Sequence, residues 1–215
     1  PASLRGPVAV VVPDALEALQ TLARARRTAR PDLLVIGVTG SVGKTTTKEA
    51  IAAVMGRGMA TLKSEGNHNN EIGLPLTLAG LQAQHRCAVL EMGMYALGEI
   101  AALCAIAQPT VGVVTNVGPT HLERLGSIER IAEAKAELVR ALPDHGWAVL
   151  NGDDERVCAM ARATRAAVLT FGLGATNSVR ATNIEPLGLT GVRFRAEAAS
   201  AVRAAGQASH CNLEL

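Results

Sequence analysis

The chain has 215 residues, enough for one large domain or two small ones, and its 48% hydrophobic content suffices for a buried core. A net charge of +2 gives no electrostatic basis for gripping nucleic acid or an anionic membrane, and 2% aromatic residues argue against a base-stacking platform for single strands. The four cysteines include no C-x-x-C pair and fit reduced cytosolic thiols, no run reaches the ~20 apolar residues of a membrane span, and Val8 to Val12 is too short for a signal-peptide core.

In chain order, Val8 to Val12 reads as a short strand and Pro13-Asp14 as a turn. Asp14 is placed to cap a helix running to about Arg30, with Ala15, Leu19, Leu22 and Arg26 on one face. Arg24, Arg26, Arg27 and Arg30 crowd the helix C-terminus, where cations complement the dipole; a solvated face is expected, with an anion site as the alternative. One strand and one helix cannot make a core. Residues 1–30 are therefore expected to be a linker or the end of another domain, and 31–215 the main unit.

Leu33 to Ile36 is an apolar strand running into Gly37-Val-Thr-Gly-Ser-Val-Gly-Lys-Thr-Thr-Thr47, and a helical run follows from Lys44 to Met55. Strand, glycine-rich turn and Gly-Lys-Thr opening a helix is the layout of a phosphate-binding loop. Gly40 and Gly43 let backbone N–H groups turn inward, the helix N-terminus adds partial positive charge, Lys44 can reach outer phosphates, and the Thr45 hydroxyl can ligate magnesium. The loop departs from G-x-x-x-x-G-K: Val38 stands where that pattern has glycine, and the glycines are at 37 and 40.

Met59 to Leu62 reads as a strand, and Ser64-Glu-Gly-Asn-His-Asn-Asn-Glu71 as a polar loop. Its asparagines serve either recognition of a polar ligand or plain turn chemistry. Further strands are expected at Cys87 to Leu90, Val111 to Val114 and Ala148 to Leu150, with helices over 97–106, 127–142 and 154–163. This alternation predicts an α/β fold: a mostly parallel sheet carrying the P-loop and flanked by helices, with ligands beyond the carboxyl ends of the strands. Glu91, His121 and the phosphate loop all fall at such ends. Glu91 suits magnesium, His121 a metal or ligand, and Asn151-Gly-Asp-Asp154 a turn plus helix cap.

In the 127–142 helix, Ile128, Ile131, Leu138 and Leu142 form an apolar stripe opposite Arg130, Glu133, Glu137 and Arg140. Lys135 lies in the apolar stripe. It must snorkel, pair with an acid or lose its proton, and a neutral amine can also take up carbon dioxide as a carbamate. From Ala166, the β-type runs Val168 to Phe171, Val179 to Ile184 and Thr190 to Phe194 suggest a small antiparallel extension.

The phosphate-loop segment through Glu49, Glu65-Gly-Asn-His-Asn-Asn-Glu-Ile-Gly-Leu-Pro75, and Glu91-Met-Gly93 with Gly98-Glu-Ile100 resemble the Mur ligases. So do Thr115-Asn-Val-Gly-Pro-Thr-His-Leu-Glu123, Ala134-Lys135 and Leu150-Asn-Gly-Asp-Asp154. The resemblance covers about residues 31–165, more loosely the rest, and includes the unusual glycine placement. It implies the central ATP-binding domain of a three-domain bacterial cytoplasmic ligase that joins D-alanyl-D-alanine to UDP-N-acetylmuramoyl-tripeptide through an acyl phosphate. The other two domains would hold the UDP group and close over ATP, so this length alone is expected to bind nucleotide without turnover, as a monomer and without membrane insertion.

Carried over residue by residue, Thr39, Gly40, Ser41, Val42, Gly43, Lys44, Thr45 and Thr46 would hold ATP, with Thr45 and Glu91 on one magnesium ion. His121 and a carbamylated Lys135 would serve a second magnesium, and Lys44, His121 and Lys135 form the expected catalytic set. Asn67, Asn69, Asn70 and Glu71 would touch the muramoyl-peptide, and His210-Cys-Asn212 is the adenine-side candidate. The alternatives are another Mur or folylpolyglutamate-type amide ligase and a non-catalytic ATP-binding switch.

Overall fold

Leu34–Thr39 forms β1, the strand entering the phosphate loop, in the computed structural model, which describes residues 9–188 and 191–199 and the backbone of 211–214. The remaining strands are β2 Thr61–Lys63, β3 Cys87–Glu91, β4 Val111–Val114, β5 Trp147–Asn151, β6 Ala167–Gly172, β7 Val179–Pro186, β8 Val192–Ala198 and β9 Cys211–Glu214. They form one sheet in the order β2-β3-β1-β4-β5-β6-β7-β8-β9. Pairing is parallel from β2 to β7 and antiparallel from β7 to β9. The expected α/β class with a C-terminal antiparallel extension is what forms.

The helices are α1 Ala15–Thr28, α2 Lys44–Gly56, α3 Gly73–Ala79, α4 Glu99–Ala107, α5 Leu122–Leu125, α6 Ile128–Arg140 and α7 Glu155–Ala159, which continues as a 3-10 turn over Met160–Ala163. Strand alternation sorts them onto two faces. Ile36, Val38, Cys87, Val89 and Val113 pack with α2. Val35, Ala88, Leu90, Ala148 and Leu150 face a larger core built with α3, α4, α6 and α7. Glu91 continues the series of Cys87 and Val89, so its side chain falls on the α2 face.

Residues 9–12 form no strand, and Val11 is 96% exposed, because no neighbouring strand offers them a ladder. Asp14 caps α1 as expected, accepting from the Glu17 N–H at 2.8 Å. The face α1 buries is Ala23 and Arg27, one position away from the expected face. Of the four arginines, Arg24 is exposed as expected, whereas the other three are bonded to carbonyls. Arg27 donates to the carbonyls of Ala107, Gln108 and Arg30. Arg26 donates to Ala79, and Arg30 to Gln82, Ala83 and His85. Arg26 and Arg27 thus satisfy carbonyls at the ends of α3 and α4 that helix geometry leaves without partners, and Arg30 holds the loop after α3.

Two further differences have local causes. The α3 helix is short and contains glycine and proline, so packing of Leu74 and Leu78 into the core stabilises it rather than propensity. The β6 and β7 strands run parallel because they overlap by only two residue pairs, Phe171 with Val179 and Gly172 with Arg180. The 173–178 turn steps back that short distance without a crossover helix. Asp153 holds the turn by accepting from the Leu173 and Gly174 N–H groups, which keeps its carboxyl below the usual range.

Candidate functional site: a phosphate loop and an adjoining polar cleft

Central β1 ends between β3 and β4, so the loop after it is flanked by Glu91 on one side and Thr115-Asn116 on the other. Gly43, in the left-handed region at φ 81°, opens α2 with no side-chain cap. The first N–H groups of the helix are thus available to an anion. Gly40 lies so close to β4 that a Cβ there would fall 1.8 Å from Thr115 Oγ1.

Residues after β4 brace the loop. Ser41 N–H donates to the Asn116 carbonyl at 3.0 Å, and Val42 N–H to Asn116 Oδ1 at 3.0 Å. Val42 carbonyl accepts from Thr115 Oγ1 at 2.7 Å and Asn116 Nδ2 at 3.0 Å. Ser41 Oγ donates to Gly118 carbonyl and accepts from Gly118 N–H. Asp154 caps α7 as expected and also accepts from the Val117 N–H at 2.8 Å, tying the brace to the next β–α turn. Thr115, Asn116 and Ser41 were missed as a bracing set. Ser41 in the phosphate loop and Thr115-Asn116 at the end of β4 were each visible in the sequence, but not that they bond to one another.

Lys44 folds back over the loop, donating to Gly40 carbonyl at 2.8 Å and Ser41 carbonyl at 3.2 Å. Burial pulls its pKa below the ordinary lysine value, and Glu91 opposes that shift. Glu91 is 2% exposed, with Oε2 accepting from Thr45 Oγ1 at 2.9 Å and Oε1 from Asn69 Nδ2 at 2.8 Å. A buried carboxylate and a hydroxyl beside a phosphate loop are the oxygen donors a magnesium ion takes when phosphates complete its shell, so these residues fit the ion. Thr39 is buried and donates to Met92 carbonyl, whereas Val42 and Thr46 are exposed.

Beside the loop is a small cleft of about 70 Å³ that brings together Lys44, Asn69, Asn70, Glu99, His121 and Lys135. Lys135 is 2% exposed, so it does not snorkel, and among the described residues no carboxylate pairs with it. Burial, and secondarily the Lys44 charge, lower its pKa to about 7. His121 adopts φ 61° and meets the edge of Tyr95 at 4.9 Å, while Arg124 lies over the Tyr95 ring at 4.6 Å.

The asparagine loop divides. Asn69 reaches Glu91, and its carbonyl accepts from Gly93 N–H at 2.8 Å. Asn70 lines the cleft but uses Oδ1 on the Ile72 and Gly73 N–H groups, which is turn chemistry. Asn67 and Glu71 are exposed and do not line the cleft with the loop lysines. His210 and the side chains of Cys211 and Asn212 lie outside the described residues.

A larger groove of about 750 Å³ lies toward the amino ends of the central strands, among α1, α4 and α6. Its Arg27 is bonded to carbonyls, and its Glu137 accepts from the Gly98 and Ala101 N–H groups at the start of α4. The groove's size therefore reflects helix packing, while the smaller cleft is where Lys44, His121 and Lys135 converge beside the phosphate loop.

The sequence profile of the Mur ligase middle domain matches residues 38–211. A relative from Synechocystis sp., named UDP-N-acetylmuramoyl-tripeptide–D-alanyl-D-alanine ligase, is 46% identical over 164 residues, covering 76% of this chain and 36% of its own length. The chain thus spans about a third of the curated relatives it matches. A crystal structure of MurF from Acinetobacter baumannii superposes with a TM-score of 0.85 at 32% identity, covering 98% of this chain and 45% of that one. MurF ligase from Thermotoga maritima in complex with ADP superposes with a TM-score of 0.81 at 31% identity, covering 98% and 47%.

Proposed function

The chain belongs to the Mur ligase family, through that family's middle domain, and from this premise we propose that it is the ATP-binding part of a D-alanyl-D-alanine-adding ligase of peptidoglycan precursor synthesis. The whole protein acts in the bacterial cytoplasm, as a monomer. Residues 1–30 join this unit, 31–215, to a UDP-binding domain. A third domain closes over ATP.

The observation that carries this reading is the Thr45–Glu91 contact at the mouth of the phosphate loop, beside a cleft holding Lys135 and His121. In the reaction, an oxygen of the tripeptide's terminal carboxylate attacks the γ-phosphorus of ATP and ADP leaves. The amine of D-alanyl-D-alanine attacks the resulting acyl phosphate, inorganic phosphate leaves with the C–O bond's electron pair, and the amine proton passes to solvent or a base. The N–H groups that open α2 after Gly43 and the Lys44 ammonium would offset charge on the transferred phosphoryl group, since preorganised donors in a dry site stabilise a transition state strongly.

Thr45 and Glu91 would hold one magnesium ion, which would supply further positive charge to the phosphates when bound. His121 and Lys135 would serve a second. The amine of Lys135 is half deprotonated near neutrality and so can add to carbon dioxide, releasing a proton and becoming an anionic carbamate. Asn67, Asn69, Asn70 and Glu71 would touch the muramoyl-peptide.

The test is a titration of the chain with a non-hydrolysable ATP analogue and magnesium, beside Lys44→Ala. Losing a charge-assisted contact worth about 1.5–3 kcal/mol should weaken binding roughly tenfold or more. Equal binding by the two proteins would rule out the phosphate-loop reading.

A further inference from the structure

We propose that Lys48 is a positioning residue whose ammonium ties the Ser64–Asn70 loop to α2 and so holds Asn69 against Glu91. Lys48 lies one helical turn beyond Lys44 and is 0% exposed. Its Nζ donates to Ser64 carbonyl at 2.7 Å and Gly66 carbonyl at 3.3 Å, and pairs with Glu49 Oε1 at 3.0 Å. These contacts occupy the three donors of the ammonium.

Burying a charge is costly, and a buried ion pair is often no more stabilising than an apolar side chain of similar volume. What an apolar residue cannot do at this position is fix two carbonyls of an otherwise exposed loop. Glu65, Gly66, Asn67 and His68 are all exposed, and the Gly66 backbone is left-handed at φ 50°. Lys48 therefore grips the loop where it leaves the protein surface.

The far side of the loop is fastened to β3. Ser64 N–H donates to Val89 carbonyl at 3.1 Å, Ser64 Oγ accepts from Glu91 N–H at 3.2 Å, and Gly93 N–H donates to Asn69 carbonyl at 2.8 Å. Between these points Asn69 Nδ2 reaches Glu91 Oε1, which leaves Oε2 turned toward Thr45. Releasing the grip at Ser64 and Gly66 frees Asn69 and, with it, the orientation of the buried carboxylate. The tie itself is independent of any ligand; its consequence for magnesium rests on the function proposed above.

The first measurement is residue-resolved amide exchange on the 215-residue chain and its Lys48→Met variant. The Asn69, Glu91 and Gly93 amides should exchange about tenfold faster or more, while the Val38 and Leu150 amides keep their rates, since only local opening is affected. Unchanged exchange at the three amides, or a uniform rise through the sheet, overturns the proposal. Lys48→Gln retains a donor with a shorter reach and should give the same pattern at smaller amplitude, which keeps the test available if the methionine variant does not fold.

The second measurement is ADP affinity with and without magnesium. Lys48→Met should reduce the magnesium-dependent gain about tenfold and leave metal-free affinity within about twofold, because Lys48 acts through Glu91 rather than on the phosphates. Combined with Asn69→Ala it should add little to Asn69→Ala alone; full additivity would show independent action and overturn the proposal. Absence of nucleotide binding in the unsubstituted chain would assign the affinity to the domain that closes over ATP, while the exchange data still decide the tie.

Discussion

Replacing Lys135 by methionine should make the fold more stable while removing the chemistry proposed for the cleft. The lysine is buried to 2% exposure on α6, without a carboxylate partner among the described residues, and its pKa falls to about 7. In the unfolded chain it titrates near 10.5. Between these values the unfolded state binds more protons than the folded one, so the lysine costs stability fully below pH 7, and the cost fades as pH rises toward 10.5. At about 1.4 kcal/mol per tenfold change in proton affinity, the upper bound on that cost is about 5 kcal/mol, and methionine fills a similar volume without it.

The assay is urea denaturation of both proteins from pH 6 to pH 9, in EDTA and carbon-dioxide-free buffer so that neither a metal nor a carbamate stabilises the lysine. The variant should be more stable by a few kcal/mol at pH 6, and the gap should narrow by about 2–3 kcal/mol by pH 9. A gap independent of pH, or a variant less stable than the parent at pH 6, would refute the reasoning. Adding bicarbonate at constant magnesium should stabilise the parent and leave the variant unmoved, because only the parent can form a carbamate.

Arg27→Met should destabilise the fold by about 3 kcal/mol, read as a lower urea midpoint, because the carbonyls of Ala107, Gln108 and Arg30 lose a charged donor in a part-buried setting. Gly40→Ala should weaken nucleotide affinity about tenfold or more in a calorimetric titration. The new methyl would collide with Thr115 Oγ1, and relieving such overpacking typically costs about 1–3 kcal/mol and shifts the loop.

Much of this was legible because the signal was local. The phosphate loop, the Asp14 and Asp154 caps and the α6 helix depend on residues within a few positions of one another, where turn geometry, capping and periodicity act. Parallel strand alternation also placed Glu91 and His121 at strand ends near the loop. The same reasoning held for Arg24 but failed for Arg26, Arg27 and Arg30, since charge crowding on a helix looks identical whether it meets water or the carbonyls of neighbouring elements. It missed α3, whose glycine and proline hide a helix that packing enforces. It also left the asparagine loop undecided, and the structure uses Asn70 for a turn and Asn69 to hold Glu91.

By itself, then, the sequence determined an α/β sheet with a phosphate loop on its central strand and a lysine in an apolar stripe. Tertiary structure decided what the charges meet. Lys48 finds its carbonyl partners 16 and 18 residues away, Asn69 reaches Glu91 across 22, and Arg27 reaches Ala107 across 80. Such distances lie beyond the range of propensity or periodicity. The energy of a charge depends on the atoms folded around it, which is why Lys44 and Lys135, far apart in the chain, meet at one small cleft where burial lowers the pKa of both.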